Sequence, residues 1–160
     1  MEWAQGGFSP VQLWLNYLAF LPMPWLLLAI WALHDARLRG LGLLGALLHG
    51  VAFTYFAHTT LYALAEHTPD YESLWAKLGA TYTVHGALMV TGGLIFAAAA
   101  WRARCLPAWA IAFFAVGLVI NLVLALVPAP DILQTAGTAV RNFGLVGFGV
   151  AILREQRVRE

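Results

Sequence analysis

Two histidines and one arginine are the residues of this sequence best suited to chemistry. His58, His85 and Arg141 each lie in a long apolar stretch that contains no Asp or Glu. Ionisable side chains are costly inside a bilayer, so their presence in such a stretch indicates a function. A pair of histidines can ligate haem iron or hydrogen-bond a quinone, and an arginine can hold an acidic group. These three residues are therefore the first candidates for a cofactor or ligand site.

Helical spacing places the three candidates at a similar depth and adds further polar side chains beside them. At about 1.5 Å per residue, all three lie roughly 10–17 Å below the same membrane surface. We expect a single polar cluster in the outer half of a helical bundle, with His58 and His85 as the metal ligands if haem iron is bound. The predicted cofactor-binding residues are His58, His85, Arg141, Tyr62, Tyr82, Asn121, Gln134 and Asn142.

Each candidate also has a structural interpretation. Arg141 could hold helix-end carbonyls or tyrosine hydroxyls, and the histidines could bond to Tyr or Thr on neighbouring helices. The small residues Gly86, Gly92 and Gly93 would admit a flat macrocycle or, equally, another helix. His49 lies on the opposite face of its helix from His58, together with glycines, and is predicted to be a packing residue.

The elements that must position these residues are transmembrane helices. Hydrophobic residues make up 61% of the 160 residues and charged residues only 11%, against about 25% charged in soluble domains. Because a transmembrane helix needs about 20 mostly apolar residues, the pattern predicts an all-α integral membrane protein: a five-helix bundle forming one domain over residues 1–160. Pro22 and Pro24 are predicted to kink the first helix. The predicted spans are 11–33, 41–64, 74–101, 107–127 and 132–153.

Basic residues alternate between the connections and so predict an orientation. Arginines occur in the first and third connections and in the C-terminal tail, whereas the second and fourth connections are mainly acidic. The excess of Lys and Arg marks the cytoplasmic side. We therefore expect the N-terminus outside and the C-terminus in the cytoplasm, in a bacterial-type inner (plasma) membrane. The N-terminus also lacks the basic region typical of a secretory signal peptide.

Several classes of function are disfavoured by composition. A net charge of +1 gives no basic surface for nucleic acid. The single cysteine, Cys105, excludes internal disulfides and a cysteine-built zinc site. The only serines, Ser9 and Ser73, lie at helix ends, so a serine hydrolase is not expected. No predicted span holds a carboxylate, which argues against a proton-coupled transporter. Whether the protein is an enzyme is left undecided by these features.

In length, number of spans and tryptophan content, the chain resembles the translocator family of porphyrin- and cholesterol-binding membrane proteins. The segment PMPWLLLAIW echoes that family's proline–tryptophan pattern, whereas NLVLALVPAPDILQTAGTAVRN departs from its last-helix pattern. The resemblance is therefore one of architecture. The chain is also similar in size, and in its membrane histidines, to small haem-anchoring subunits of respiratory complexes.

These observations favour an integral membrane subunit of a respiratory-type electron-transfer complex. It would bind haem b, a quinone or another small ligand in the outer half of the bundle. One alternative is a non-catalytic accessory subunit, and another is a carrier or binder of a small amphipathic molecule. The expected partners are the lipid bilayer and a larger membrane complex or further copies of the chain.

Overall fold

The computed structural model describes residues 7–127 and 131–159, and every regular element in these ranges is an α-helix. Five stretches are long and apolar enough to cross a membrane, which confirms the predicted number of spans. The described helices are α1 (Pro10–Phe20), α2 (Met23–Leu33), α3 (Asp35–Ala65), α4 (Tyr71–Leu78), α5 (Ala80–Ala103), α6 (Ala108–Leu126) and α7 (Asp131–Arg159).

The first span is made of two helices, α1 and α2. Ser9 caps α1 by accepting a hydrogen bond from the Gln12 amide at 3.2 Å. The helix ends at Phe20, and α2 starts again at Met23, because Pro22 and Pro24 have no amide proton to donate within a helix. The predicted break at these prolines is confirmed.

The connections differ from the sequence prediction at two places. Helix α3 begins at Asp35, six residues before the predicted start at 41, and Arg39 interrupts it with a φ of 50°. The carbonyl of Arg39 accepts a hydrogen bond from the indole Nε1 of Trp31 at 3.0 Å. The predicted third span is divided, because Gly79 adopts a φ of 55° and separates the short helix α4 from α5.

Helix α4 lies at one end of the bundle, which we call the α4 end. Its one buried side chain, Leu74, packs against Leu13 of α1 and Ala63 of α3. Tyr71 and Trp75 remain exposed on the same helix. Aromatic side chains of this kind are favoured at a membrane–water interface.

Glycines allow the long helices to form two close pairs, α3 with α5 and α6 with α7. A Cβ atom added to Gly92 of α5 would lie 2.5 Å from the backbone nitrogen of His49. On the other pair, a Cβ at Gly117 would collide with the backbone of Arg141, and one at Gly144 with the backbone of Phe114. Small residues permit this backbone approach, which is how helices gain packing energy where solvent contributes little. Between the pairs lies an aromatic and aliphatic core that includes Phe53, Phe96, Phe114, Leu118 and Phe148.

Candidate functional site

His85 lies in the second turn of α5, near the α4 end, and only 1% of it is exposed. Its Nδ1 atom lies 2.8 Å from the carbonyl oxygen of Thr81. Since a carbonyl can only accept, this contact places a proton on Nδ1. The other ring nitrogen, Nε2, is buried and has no hydrogen-bond partner among the described residues. The arrangement leaves one imidazole lone pair unused inside the protein.

Aromatic rings surround the His85 imidazole. The ring of Tyr55 on α3 is stacked on it at 5.7 Å, with an interplanar angle of 16°. Phe56 of α3 and Tyr82 of α5 approach it edge-on, at 4.5 Å and 4.8 Å between ring centroids. The imidazole is thus held in position by both helices of the α3–α5 pair.

A groove of about 330 Å³ runs between α3 and α5 at this point, and we call it the His85 groove. Tyr55 is 43% exposed and Val84 is 56% exposed, so the groove opens on the side of the bundle that faces away from its core. That surface belongs to two helices apolar enough to span a membrane. The lining residues are Tyr55, Ala80, Thr81, Val84, His85 and Leu88.

His58, the second predicted ligand of haem iron, is exposed on the surface of α3. Tyr55 contacts both histidines, since its ring is stacked on His85 and meets His58 edge-on at 6.5 Å. Two-sided ligation of a haem needs two imidazoles that face each other across the macrocycle. In the structure His58 is exposed and His85 is buried, and haem ligation by the pair stays a prediction.

Arg141 lies in a second polar group, between the two helix pairs. It is only 6% exposed, and no Asp or Glu of the described residues pairs with it. One terminal nitrogen donates to the thioether sulfur of Met89 at 3.3 Å. Nε and the other terminal nitrogen donate to Oδ1 of Asn142 at 3.3 Å and 3.2 Å. The guanidinium also lies 5.5 Å from the centroid of the Phe53 ring, where a cation–π interaction stabilises it.

His49 belongs to the same group as Arg141, since both side chains contact the ring of Phe53. For His49, helical periodicity alone predicted only packing against small residues. It is fully buried, and its Nδ1 lies 2.9 Å from the carbonyl oxygen of Met89. Its ring packs against Phe53 at 4.9 Å and Phe114 at 5.6 Å. As at His85, Nε2 is buried without a partner among the described residues. A histidine in the middle of an apolar helix, facing glycines, was the one sequence signal for this position.

The remaining predicted site residues are distributed over both groups. Tyr82 contacts His85, whereas Tyr62 packs near Leu13, Ala63 and Leu74 at the α4 end. Asn121 of α6 donates to the hydroxyl of Thr138 at 3.1 Å, and its own Oδ1 is buried and has no partner in the part of the chain that the structure describes. Gln134 is half-buried on α7.

The predicted single cluster therefore consists of two groups in the structure. The first is the His85 groove, and the second contains His49, Met89 and Arg141. The rings of Phe53 and Phe56, 5.6 Å apart, lie between them.

No group of three or more His, Cys, Asp or Glu side chains in the described ranges is arranged to hold a metal ion. Comparisons with known proteins give no further assignment, because no protein-family model, curated protein or solved structure matches this chain.

Proposed function

We propose that this is an integral membrane protein that binds the ring of a small amphipathic molecule, of the quinone class, in the His85 groove. The observation on which the proposal depends is His85, a residue that lines an open groove and whose buried Nε2 has no hydrogen-bond partner among the described residues. A buried polar atom without a partner carries a free-energy cost. A bound ligand that hydrogen-bonds to this atom would remove that cost.

The shape and surroundings of the groove suit such a ligand. A volume of about 330 Å³ lies at the small end of ligand pockets, which span roughly 300–1,000 Å³. Tyr55 and Leu88 offer an aromatic and an aliphatic surface to a ring, and Thr81 offers a hydroxyl. Because the groove opens laterally on α3 and α5, the apolar tail of the ligand can remain in the lipid while its ring binds.

We further propose that the protein works within a respiratory-type membrane complex or as a homo-oligomer. His58 is exposed on a helix that is apolar enough to span the bilayer. An imidazole facing hydrocarbon is costly, so a protein surface that covers it is favoured. Native electrophoresis after mild solubilisation tests this part, since migration of the chain only as a monomer would contradict it.

The proposed orientation puts the N-terminus outside and the C-terminus in the cytoplasm of a bacterial inner membrane. The basic connections support this assignment, and the fold adds a second argument. His34, between α2 and α3, lies 3.3 Å from Glu155 near the end of α7. The arginine-bearing first connection and C-terminal tail therefore lie at the same end of the bundle, opposite the α4 end. With the proposed orientation, the His85 groove would lie in the outer half of the membrane.

Photo-crosslinking tests the ligand site. The purified protein in lipid nanodiscs would be irradiated with a short-tailed azidoquinone, and the labelled peptides mapped by mass spectrometry. We expect labelling between 80 and 88 or near Tyr55, and competition by the unmodified quinone. In V84W the indole would fill the groove from an exposed position and abolish this labelling.

The matched control is V116W on α6, because Val116 is 51% exposed and lies outside the groove. V116W should label like the unmodified protein. H85F, which keeps a ring at this position but removes Nε2, should weaken the labelling. Labelling that is spread over the apolar surface, or that is equal in V84W and V116W, would overturn the proposed site.

A further inference from the structure

We infer, on the basis of the proposed ligand site, that the His85 groove selects the hydroxyl-bearing, reduced form of its ring ligand over the carbonyl form. The chemical class is a quinol or related phenol, and the oxidised quinone is the disfavoured form. The inference depends on which nitrogen of His85 carries the proton.

The backbone carbonyl of Thr81 determines which nitrogen of His85 carries the proton. It lies 2.8 Å from Nδ1 and can only accept, so the single proton of a neutral imidazole is on Nδ1. Nε2 then carries the lone pair, so toward a ligand that reaches it from the groove it can accept a hydrogen bond but cannot donate one. A quinol hydroxyl can donate to this lone pair, whereas a quinone carbonyl can only accept and would face it unfavourably.

A doubly protonated imidazole would reverse the selection, but the surroundings disfavour it. The ring is enclosed by Tyr55, Phe56 and Tyr82, and no acidic side chain among the described residues pairs with it. A buried cation without an acidic partner is strongly disfavoured in such surroundings. The neutral form with the proton on Nδ1 is therefore the one that meets the ligand.

The other polar groups of the groove do not discriminate between the two forms. Thr81 and Tyr55 line the groove, and the hydroxyl that each carries can either donate or accept. His85 is thus the specificity-determining residue, because its Nε2 can only accept a hydrogen bond.

The expected effect is that of one hydrogen bond gained by the quinol and lost by the quinone. This corresponds to about threefold to tenfold tighter binding of the quinol. By linkage, a tenfold preference raises the midpoint potential of the bound two-electron couple by about 30 mV.

The test compares three forms of one short-tailed benzoquinone: the quinone, the quinol kept reduced under anaerobic conditions, and the quinol dimethyl ether, which has no hydroxyl proton. Affinities for the nanodisc-embedded protein would be measured by competition with the azidoquinone label. We expect the quinol to bind most tightly and the dimethyl ether to show no advantage over the quinone. H85F should lose the preference, whereas V116W should retain it, because Val116 lies on α6 outside the groove.

The outcomes separate this inference from the proposed function. If neither quinone nor quinol competes, or if V84W binds both like the unmodified protein, the site itself is wrong and the inference falls with it. If both forms compete in the unmodified protein and not in V84W, but the quinone binds equally or more tightly, the site stands and the selectivity is overturned. A preference for the quinol that survives in H85F would also overturn the assignment to His85.

Discussion

The Nδ1 atom of His49 lies 2.9 Å from the carbonyl oxygen of Met89, so a side chain of α3 donates to the backbone of α5 in the middle of the bundle. The contact requires a close approach of the two helices, and Gly45 and Gly92 provide it. A Cβ at Gly45 would lie 2.5 Å from the amide nitrogen of Phe96. The hydrogen bond and the glycine contacts therefore depend on each other.

Gly92→Ala should destabilise the protein, and Gly86→Ala should not. At Gly92 the new methyl would lie 2.5 Å from the His49 nitrogen and 2.9 Å from the Gly45 carbonyl, both backbone atoms that cannot easily move. Overpacking of this kind costs about 1–3 kcal/mol. At Gly86 the methyl would meet nothing within 4 Å, and the better helix propensity of alanine should add about 0.5–1 kcal/mol of stability.

Thermal denaturation of both variants in the same detergent measures this difference. Equal melting temperatures for the two would show that α3 and α5 do not approach each other at Gly92.

Arg141→Met should leave the fold intact and increase its stability by about 1–3 kcal/mol, because an unpaired buried charge is replaced by an apolar side chain of similar length. The acceptors that the guanidinium loses are a thioether and the amide of its exposed neighbour Asn142. Arg157→Met, at an exposed position near the end of the same helix, should change the stability little.

Chemical denaturation of both arginine variants, each compared with the unmodified protein, measures these effects. A large loss of stability in Arg141→Met, with none in Arg157→Met, would mean that Arg141 is a structural clamp whose contacts outweigh the cost of its burial.

The sequence predicts the five spans and the break at Pro22, because apolar length and a missing amide proton act locally. It does not predict that α4 is separate from α5. The apolar residues continue from Leu74 into the next span, and only the positive φ of Gly79 divides them. Periodicity also shows which side chains share one helix face, but not which helix they meet. Arg141 of α7 and His49 of α3, for example, both contact the ring of Phe53, which periodicity within one helix does not predict.

Helix α4 should loosen as the pH falls, and Asp70 should be the cause. Its carboxylate accepts a hydrogen bond from the Ser73 amide at 2.8 Å and caps the helix. This backbone bond, aided by the Ser73 hydroxyl, lowers the pKa of Asp70 below its ordinary value of 3.8. Because the folded pKa is lowered, the stabilisation is fully present above the unfolded value and is lost as the pH falls through the folded one.

Hydrogen exchange of the amides in α4 between pH 6 and pH 3, corrected for intrinsic rates, follows this loss. Asp70→Asn retains a side-chain acceptor but cannot titrate, so its protection should remain constant over the same range. An identical loss of protection in Asp70→Asn would rule out the carboxylate as the origin of the pH dependence.

The N-terminal end of α3 and the short helix α4 should be reachable from opposite sides of the membrane. Ala36 and Ala76 are both exposed and lie at opposite ends of the bundle. Cys105 is half-buried, and burial raises the pKa of its thiol. The native cysteine should therefore react slowly with thiol reagents at neutral pH. The variant C105A removes its remaining reactivity. On that background, an impermeant maleimide applied to intact bacterial cells with the outer membrane permeabilised should label A76C and spare A36C. After the inner membrane is opened, both should react. Labelling of A36C alone in intact cells would reverse the orientation and move the His85 groove to the cytoplasmic half of the bilayer.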